Sequence, residues 1–387
     1  MSEVKKKPKR RIRRSLLVLI VVIIAAVVLA IRVPKQQQKV HLKDLGYSEE
    51  TIEKILENEY YDVINENGYY STALANAIDD NSLHIQYIDF YANRANDEKV
   101  NEKDLLLYAR LQDIGYDNVQ LNNLFNRLEF WEITPLLIFE FQWNEDQYIE
   151  DCIANRETNS PDSFTLDGNY RTLYRLTSPA EKIDSPYVLV NKTYYLPEDF
   201  EPKDLEEISD RYAVYGQEVC KEVKENIEEF CEASIENETP FYISNAYWSY
   251  EDIEVLYNNN LLYMSEEEAD YLVNRPGFSE HQTGLAINVS PTYESEDDFT
   301  NTYCYEYLSE NCTSYGFIER YPENKSIITG VYSEPTHLRY LGKDLAEKVK
   351  ASGLTYDEYY CLFLKTWLDE EFKPSQDILD KIANYSD

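Results

Sequence analysis

Histidine is scarce in this chain, and its positions indicate where metal chemistry is possible. The four copies are His41, His84, His281 and His337. A catalytic zinc ion needs about three nitrogen or oxygen ligands, an open position for water, and a carboxylate that takes a proton from that water. His281 and His337 are the candidate ligands, and Glu334, just before His337, is the candidate general base.

The third ligand of such a site is expected close to His281 in the sequence. Asn288 is the obvious position, although an amide oxygen is a weaker zinc ligand than a carboxylate. Spacing alone does not establish the site, because 56 residues separate the two histidines. On the residues alone, a zinc site and two unrelated structural histidines both stay open.

Two motifs around these histidines resemble the D-alanyl-D-alanine carboxypeptidases of the VanY type. The family pattern S-x-H-x-x-G-x-A-x-D is matched by Ser279, His281, Gly284 and Ala286, with Asn288 at the Asp position. The pattern E-P-W-H is matched by Glu334, Pro335 and His337, with Thr336 in place of Trp. Family segments YGF-I-x-RYP-x-x-K-x-x-x-TG, RYVG and LVNK are similar to residues 315–330, 339–342 and 189–192. The similarity spans about residues 182–350.

The resemblance implies a fold, a reaction and a set of roles. The expected fold is α+β, a zinc DD-peptidase-like domain with an antiparallel sheet that carries the zinc ion. The expected reaction removes the terminal D-alanine from the D-Ala-D-Ala stem peptides of peptidoglycan. The family's zinc ligands correspond to His281, Asn288 and His337, its general base to Glu334, and a substrate-contacting serine to Ser279.

Besides Thr336, three departures from the family pattern fall at this site. Asn288 removes one negative charge from the metal ligands, which weakens zinc binding. The family segment S-G-Y-R-S-Y-x-x-Q aligns with residues 245–253. Its Arg, expected to steady the substrate or the developing oxyanion, is Trp248 here, which is therefore the second candidate substrate-binding residue, and its Gln is Ile253. Losing one donor at the reacting carbonyl typically costs on the order of 100- to 1000-fold in rate. Two hypotheses follow: a zinc peptidase with a weakened site, or a pseudoenzyme that binds cell-wall peptide or a membrane partner.

The N-terminus has the pattern of a membrane anchor. Residues 1–14 are rich in Lys and Arg, and residues 15–31 carry no charge. We therefore predict a cytoplasmic basic tail (1–14), one transmembrane helix (15–33) and a main domain outside the cytoplasm. A cleaved signal peptide is the alternative, but Arg32-Val-Pro-Lys35 does not resemble a small-residue cleavage site.

Charge and cysteine spacing exclude several other functions. Nine of the 37 Lys and Arg residues lie within residues 1–32, although the whole chain has a formal net charge of −35. The remainder is therefore strongly acidic and repels nucleic acid. None of the six cysteines forms a C-x-x-C pair, which excludes a zinc ribbon, and Cys304 and Cys312 are the nearest pair outside a predicted helix.

The rest of the chain divides by its hydrophobic pattern. We predict a short polar linker over 33–41 and a helical module whose domain range is 34–155. This module serves as a spacer, a binding surface or part of the main core. The peptidase-like domain is expected over 182–350 and a C-terminal helical extension over 351–387. Helix starts are predicted at Ser48 and at Asp117-x-x-Gln120, a capping-box pattern. Within the peptidase-like domain, we expect strands over 188–192 and 241–244 and helices over 204–236 and 251–259.

Overall fold

The structure is a computed structural model that describes residues 34–94, 100, 102–138, 145–156, 173–293 and 296–383. The chain divides between residues 101 and 102 into two compact units. Within the described residues, no helix combines the length and the apolar composition needed to cross a membrane. The predicted basic tail (1–14) and transmembrane anchor (15–33) lie outside the described residues.

The first unit is helical. Its elements are α1 (residues 34–45), α2 (Glu49–Glu57), α3 (Tyr61–Asn67), α4 (Thr72–Asp79) and α5 (Ile88–Ala92). The linker predicted over 33–41 is wrong from residue 34 onward, because α1 occupies this stretch. Proline is tolerated in the first turn of a helix, and Lys and Gln are good helix formers. The N-cap predicted at Ser48 is confirmed, since its side chain accepts from the Thr51 backbone N–H at 3.1 Å.

The second unit begins and ends with helices that belong to the same compact body as its sheet. The helices are α6 (Glu102–Asp113), α7 (Asn118–Arg127), α8 (Phe130–Ile133), α9 (Glu145–Asn155), α10 (Lys221–Glu236), α11 (Tyr250–Asn260), α12 (Glu266–Leu272), α13 (Tyr303–Asn311), α14 (Ser326–Thr329), α15 (Lys343–Ser352), α16 (Tyr356–Tyr359) and α17 (Gln376–Ala383). The predicted capping box of Asp117 and Gln120 opens α7.

The strands of the second unit form one four-stranded sheet and two short pairs. They are β1 (Ser178–Pro179), β2 (Tyr194–Tyr195), β3 (Leu205–Glu207), β4 (Glu218–Cys220), β5 (Phe241–Asn245), β6 (Ala286–Pro291), β7 (Phe317–Tyr321) and β8 (Glu334–Tyr340). The main sheet has the order β5-β6-β8-β7, with every neighbouring pair antiparallel. The predicted α+β fold with an antiparallel sheet is confirmed.

Alternation along β8 sends its side chains to opposite faces of the sheet. Leu338 and Tyr340 join the buried apolar cluster that also contains residues of α10 and α13. His337 and Arg339 therefore point to the other face. The same alternation in β6 buries Ile287 in that cluster and leaves Asn288 on the face of His337. The sheet thus separates an apolar core from a polar face.

Two predicted elements are wrong. Residues 188–192 are buried but form no strand, because the Val188 carbonyl accepts from Arg339 at 2.7 Å instead of joining a ladder. The helix predicted over 204–236 begins only at Lys221, after β3 and β4. Its first half instead forms an antiparallel pair in which Leu205 lies opposite Cys220. The strand predicted over 241–244 and the helix over 251–259 are confirmed as β5 and α11.

The outer helices of the second unit are joined to each other by buried polar contacts. Arg110 of α6 donates to the Leu362 carbonyl at 3.0 Å, and Thr134 donates to Glu358 at 2.6 Å. The boundary between the two units falls inside the range 34–155, so a single helical module over that range stays a prediction. All six cysteines are free thiols, and Cys304 and Cys312 are not bridged.

A buried ion network connects α16 to the polar face of the sheet. Arg320 of β7 donates to Glu280 at 2.9 Å and to Asp357 of α16 at 2.6 Å. Asp357 also accepts from the Asn191 amide at 2.6 Å. Both ion pairs are completely shielded from solvent. A buried charge that loses its partner is strongly destabilising, so the network depends on the segment after residue 350.

Removing the Asp357 charge tests this dependence. We expect Asp357→Asn to lower the free energy of unfolding by about 3–5 kcal/mol, because one carboxylate partner of buried Arg320 is lost. Urea unfolding of the full chain measures the change. Asp184→Asn is the matched control, since Asp184 pairs with Lys203 on the exposed surface, and we expect a change below about 1 kcal/mol. Equal small changes in both variants would contradict the role given to Asp357.

Candidate active site

The candidate site is assembled on β6, β8 and the turn that precedes β6. Asn288 and His337 lie directly opposite each other in the β6–β8 ladder. Glu334 is the first residue of β8, and His281 lies in a single 3₁₀ turn over Glu280–Thr283. The turn ends at Gly284 in the left-handed conformation (φ 68°), which lets the chain reverse directly into β6.

The fold brings together the side chains that the sequence keeps far apart. The imidazole rings of His281 and His337 have centroids 4.9 Å apart and are inclined at 64°. Glu334 Oε2 lies 3.5 Å from His337 Nδ1. Two imidazoles and one carboxylate therefore surround one point on the polar face of the sheet.

His281 is held in one orientation by the backbone. Its Nδ1 lies 2.6 Å from the Ala246 carbonyl oxygen, just beyond the end of β5. A carbonyl only accepts hydrogen bonds, so Nδ1 carries the proton and Nε2 keeps a free lone pair. Burial, and next the neighbouring His337, lower the pKa of His281 to about 4. The imidazole is therefore neutral at neutral pH, the form that ligates metals.

Asn288 is bonded to the candidate base. Its Nδ2 donates to Glu334 Oε1 at 2.6 Å and lies 3.4 Å from Thr336 Oγ1. Burial by itself raises the pKa of Glu334, but the adjacent imidazole of His337 outweighs it. His281 and the Asn288 amide add to this effect, and the pKa lies below its ordinary value. Glu334 is therefore ionised and already satisfied on one oxygen.

The donor set fits a zinc ion with one weak ligand. Within the part of the chain that the structure describes, no three His, Cys, Asp or Glu side chains are arranged to hold a metal ion. The reason is local, because the third position carries the amide of Asn288. The two imidazoles are suitable ligands, and the amide oxygen supplies a neutral third one.

The remaining predicted site residues have different surroundings. Ser279 is buried, and its hydroxyl accepts from the His281 backbone N–H at 3.3 Å, so it caps the 3₁₀ turn. The indole of Trp248 lies 6.5 Å from the His281 ring, and its backbone N–H donates to the His281 carbonyl at 3.3 Å. Ile253 is buried within α11. Trp248 therefore flanks the site with an aromatic ring in place of a guanidinium group.

Glu280 and Tyr321 also lie at the site, although neither was predicted from the sequence. Glu280 is fully buried beneath the site, and the Tyr321 ring has its centroid 4.9 Å from that of His337. A signal for Glu280 existed, because it stands between Ser279 and His281 in the matched motif. Burial raises the pKa of Glu280, but Arg320 and Arg339 outweigh this effect and hold it below its ordinary value.

Comparisons with known proteins find similar carboxypeptidases. The VanY family model, described as D-alanyl-D-alanine carboxypeptidase, matches residues 216–343. YodJ of Bacillus subtilis (strain 168), a proposed carboxypeptidase, is 33% identical over 217 residues, which cover 53% of this chain and 80% of YodJ.

Two solved structures are also similar. The LdcB LD-carboxypeptidase is 33% identical, with a TM-score of 0.44, and the match covers 48% of this chain and 89% of LdcB. A VanY D,D-pentapeptidase from a VanB-type vancomycin-resistance cassette, in complex with Zn(II), is 26% identical with a TM-score of 0.39. That match covers 45% of this chain and 98% of the pentapeptidase.

Asn288→Asp separates the hydrogen bond that this side chain makes to Glu334 from its potential role as a metal ligand. Without metal, we expect the variant to be less stable by about 1–3 kcal/mol, because a hydrogen bond becomes a contact between two carboxylates. Added zinc should then stabilise the variant more than the original chain. The variant should gain about 2.7 kcal/mol when the free zinc concentration is about 100 times the dissociation constant of the variant for zinc. Thermal unfolding with EDTA and with zinc measures both effects.

Asn237→Asp provides the control for this change. Asn237 caps the end of α10, where its amide donates to the Ala233 carbonyl. We expect no gain in stability from zinc for this variant. A zinc response in Asn288→Asp no larger than that of the control would contradict the assignment of Asn288 as a potential ligand.

Proposed function

We propose that this chain, which belongs to the VanY-type D-alanyl-D-alanine carboxypeptidase family, is a zinc peptidase with a weakened metal site. Its substrate would be the stem peptide of peptidoglycan, from which it removes the terminal D-alanine. The observation that supports this most is the convergence of His281, His337 and Glu334 around one point. These are the groups that such a hydrolysis requires.

His281 and His337 would hold the zinc ion, with the Asn288 side-chain oxygen as the third ligand. A bound zinc supplies a Lewis acid that polarises the scissile carbonyl and makes water acidic enough to ionise near neutral pH. The neutral third ligand leaves the site with less negative charge than an aspartate would, so we expect weaker metal binding.

Glu334 would act as the general base. Its Oε1 is occupied by the Asn288 amide at 2.6 Å, which leaves Oε2 to take a proton from the attacking water. The side chain is 39% exposed, so water and substrate reach it directly. The same carboxyl group would return that proton to the amine that leaves with D-alanine.

Trp248 would lower the rate of peptide cleavage. The guanidinium expected at this position in the family donates charged hydrogen bonds to the substrate, whereas an indole offers one neutral donor. The ring also narrows the approach beside His281 with an aromatic surface. This change favours a slower enzyme, or one that accepts a stem peptide with a different terminal residue.

A second candidate function is peptide binding without cleavage. It is favoured by the hydrogen bond between Asn288 and Glu334, which satisfies the base within the protein, and by Trp248 and Ile253 at positions of polar family residues. In that case the same site would bind a cell-wall peptide or a membrane partner, and its histidines would contact that ligand.

Cleavage of synthetic stem peptides distinguishes the two functions. With zinc present, we expect the full chain to release D-alanine from a peptide ending in D-Ala-D-Ala, and Glu334→Gln to lower the rate by about 100-fold or more. Mass spectrometry measures the product, and a peptide ending in a single D-alanine tests LD-cleavage in parallel.

The matched control for this experiment is Glu319→Gln. Glu319 lies in the same sheet but accepts a hydrogen bond from Tyr305 at 3.0 Å. We expect it to retain activity. Peptide binding without any release of D-alanine, in the original chain and in both variants, would favour the binding function and contradict the peptidase.

The proposed cellular setting follows from residues 1–33. The uncharged run over 15–31 and the preceding basic residues support an uncleaved anchor with the N-terminus in the cytoplasm. We expect the full chain to stay in the membrane fraction after alkaline carbonate washing, and an external protease to digest residues 34–387 in intact protoplasts. Release of a shortened chain into the medium would instead indicate a cleaved signal peptide.

A further inference from the structure

Glu280 is a buried carboxylate, and its ion pairs leave one of its oxygens free to accept a hydrogen bond. It is the chain neighbour of His281, and its side chain is fully shielded from solvent. Oε1 accepts from Arg320 Nε at 2.9 Å and from Arg339 Nη1 at 2.8 Å. Both salt bridges therefore go to one of its two oxygens.

The second oxygen faces His337. Glu280 Oε2 and His337 Nε2 are both buried, and neither atom has a hydrogen-bond partner. They lie 3.9 Å apart. Buried polar atoms in folded proteins are almost always paired, and a movement of about 1 Å would bring these two within hydrogen-bond distance.

The charges around Glu280 leave this oxygen to the imidazole. Arg320 has a second carboxylate partner in Asp357, at 2.6 Å. Arg339 directs its Nη2 to the Pro186 and Val188 carbonyls, at 2.9 and 2.7 Å. Neither guanidinium donates a hydrogen bond to Glu280 Oε2. Arg320 Nη2 and His337 Nε2 are both buried without a partner, and of the two groups only the imidazole has a second nitrogen that faces the site.

We infer that Glu280 is a positioning residue that fixes the tautomer and the direction of the His337 ring. A carboxylate accepts but does not donate, so it selects the form with the proton on Nε2 and a free lone pair on Nδ1. Nδ1 lies 3.5 Å from Glu334 Oε2, on the side of the site. The Glu334 carboxylate is 39% exposed and already accepts from Asn288, whereas Glu280 Oε2 is buried without a partner.

The two histidines are then oriented by different means. The Ala246 carbonyl holds His281 through Nδ1, and the Glu280 carboxylate holds His337 through Nε2. The free lone pairs are Nε2 of His281 and Nδ1 of His337. The use of this arrangement for zinc rests on the proposed function, whereas the tautomer itself does not. Partners of this kind typically contribute 10- to 100-fold in metal affinity.

Nitrogen-15 NMR of the metal-free full chain tests the inference directly. At a pH where the imidazole is neutral, we expect His337 to carry its proton on Nε2. In Glu280→Gln the new amide would donate to Nε2, so the proton should move to Nδ1 and the two nitrogen shifts should exchange. Asp357→Asn is the matched control, because it removes an equivalent charge from Arg320 without contacting His337.

Zinc titration provides the second measurement. We expect Glu280→Gln to weaken zinc binding by about 10- to 100-fold, and Asp357→Asn to change it by much less. An Nδ1-protonated His337 in the original chain would overturn the inference, even if Glu280→Gln fails to fold. The same holds for equal tautomer changes in both variants. Absence of zinc binding throughout would count against the proposed function alone, since the NMR result is obtained without metal.

Discussion

The arrangement of the second unit depends on a carboxylate that is held in the protein interior by two guanidinium groups. Glu280, Arg320 and Arg339 are all fully buried, and removing such charges from water costs several kcal/mol for each ion. The cost is offset only if the partners are close and most of the remaining donors and acceptors are paired. This requirement ties the 3₁₀ turn to β7 and β8 at once.

The same network determines where the two imidazoles lie on the polar face of the sheet. Because Glu280 precedes His281 in the chain, the contact that anchors the carboxylate also fixes the start of the turn that carries the imidazole. Because Arg339 follows His337 by two residues, the strand that supplies one guanidinium also presents the second imidazole on the same face. Asp357 completes the charge balance from beyond residue 350, so the peptidase fold and the helix α16 form one cooperative structure.

Asn288 gives this site a different chemistry from a site with three charged or basic ligands. In the structure, the Asn288 amide in β6 donates a hydrogen bond to Glu334. The interaction pairs one oxygen of Glu334, the proposed base, and favours its ionised form, and it leaves the amide oxygen as the proposed metal ligand. We therefore expect metal affinity and stability without metal to be opposed at this position, because an aspartate would improve the proposed metal binding and weaken the metal-free fold.

The sequence by itself determined the class of fold and the candidate residues. The matched motifs around His281 and His337 identified the family, and the apolar alternation of residues 241–244 and the capping box at Asp117 predicted β5 and the start of α7. These signals are local, since capping and strand alternation are encoded within a few residues. Residues 188–192 and 204–220 were mispredicted because their conformations are set by distant partners, such as the guanidinium of Arg339.

Only the tertiary structure decided how the site is organised. The register of β6 against β8 places Asn288 opposite His337, and no local pattern encodes which strands pair. The burial of Glu280 and its dependence on Asp357 arise from contacts between residues far apart in the chain. The orientation of each imidazole follows from a carbonyl or a carboxylate that only the folded chain brings near, because electrostatic and hydrogen-bond partners are selected by distance in space.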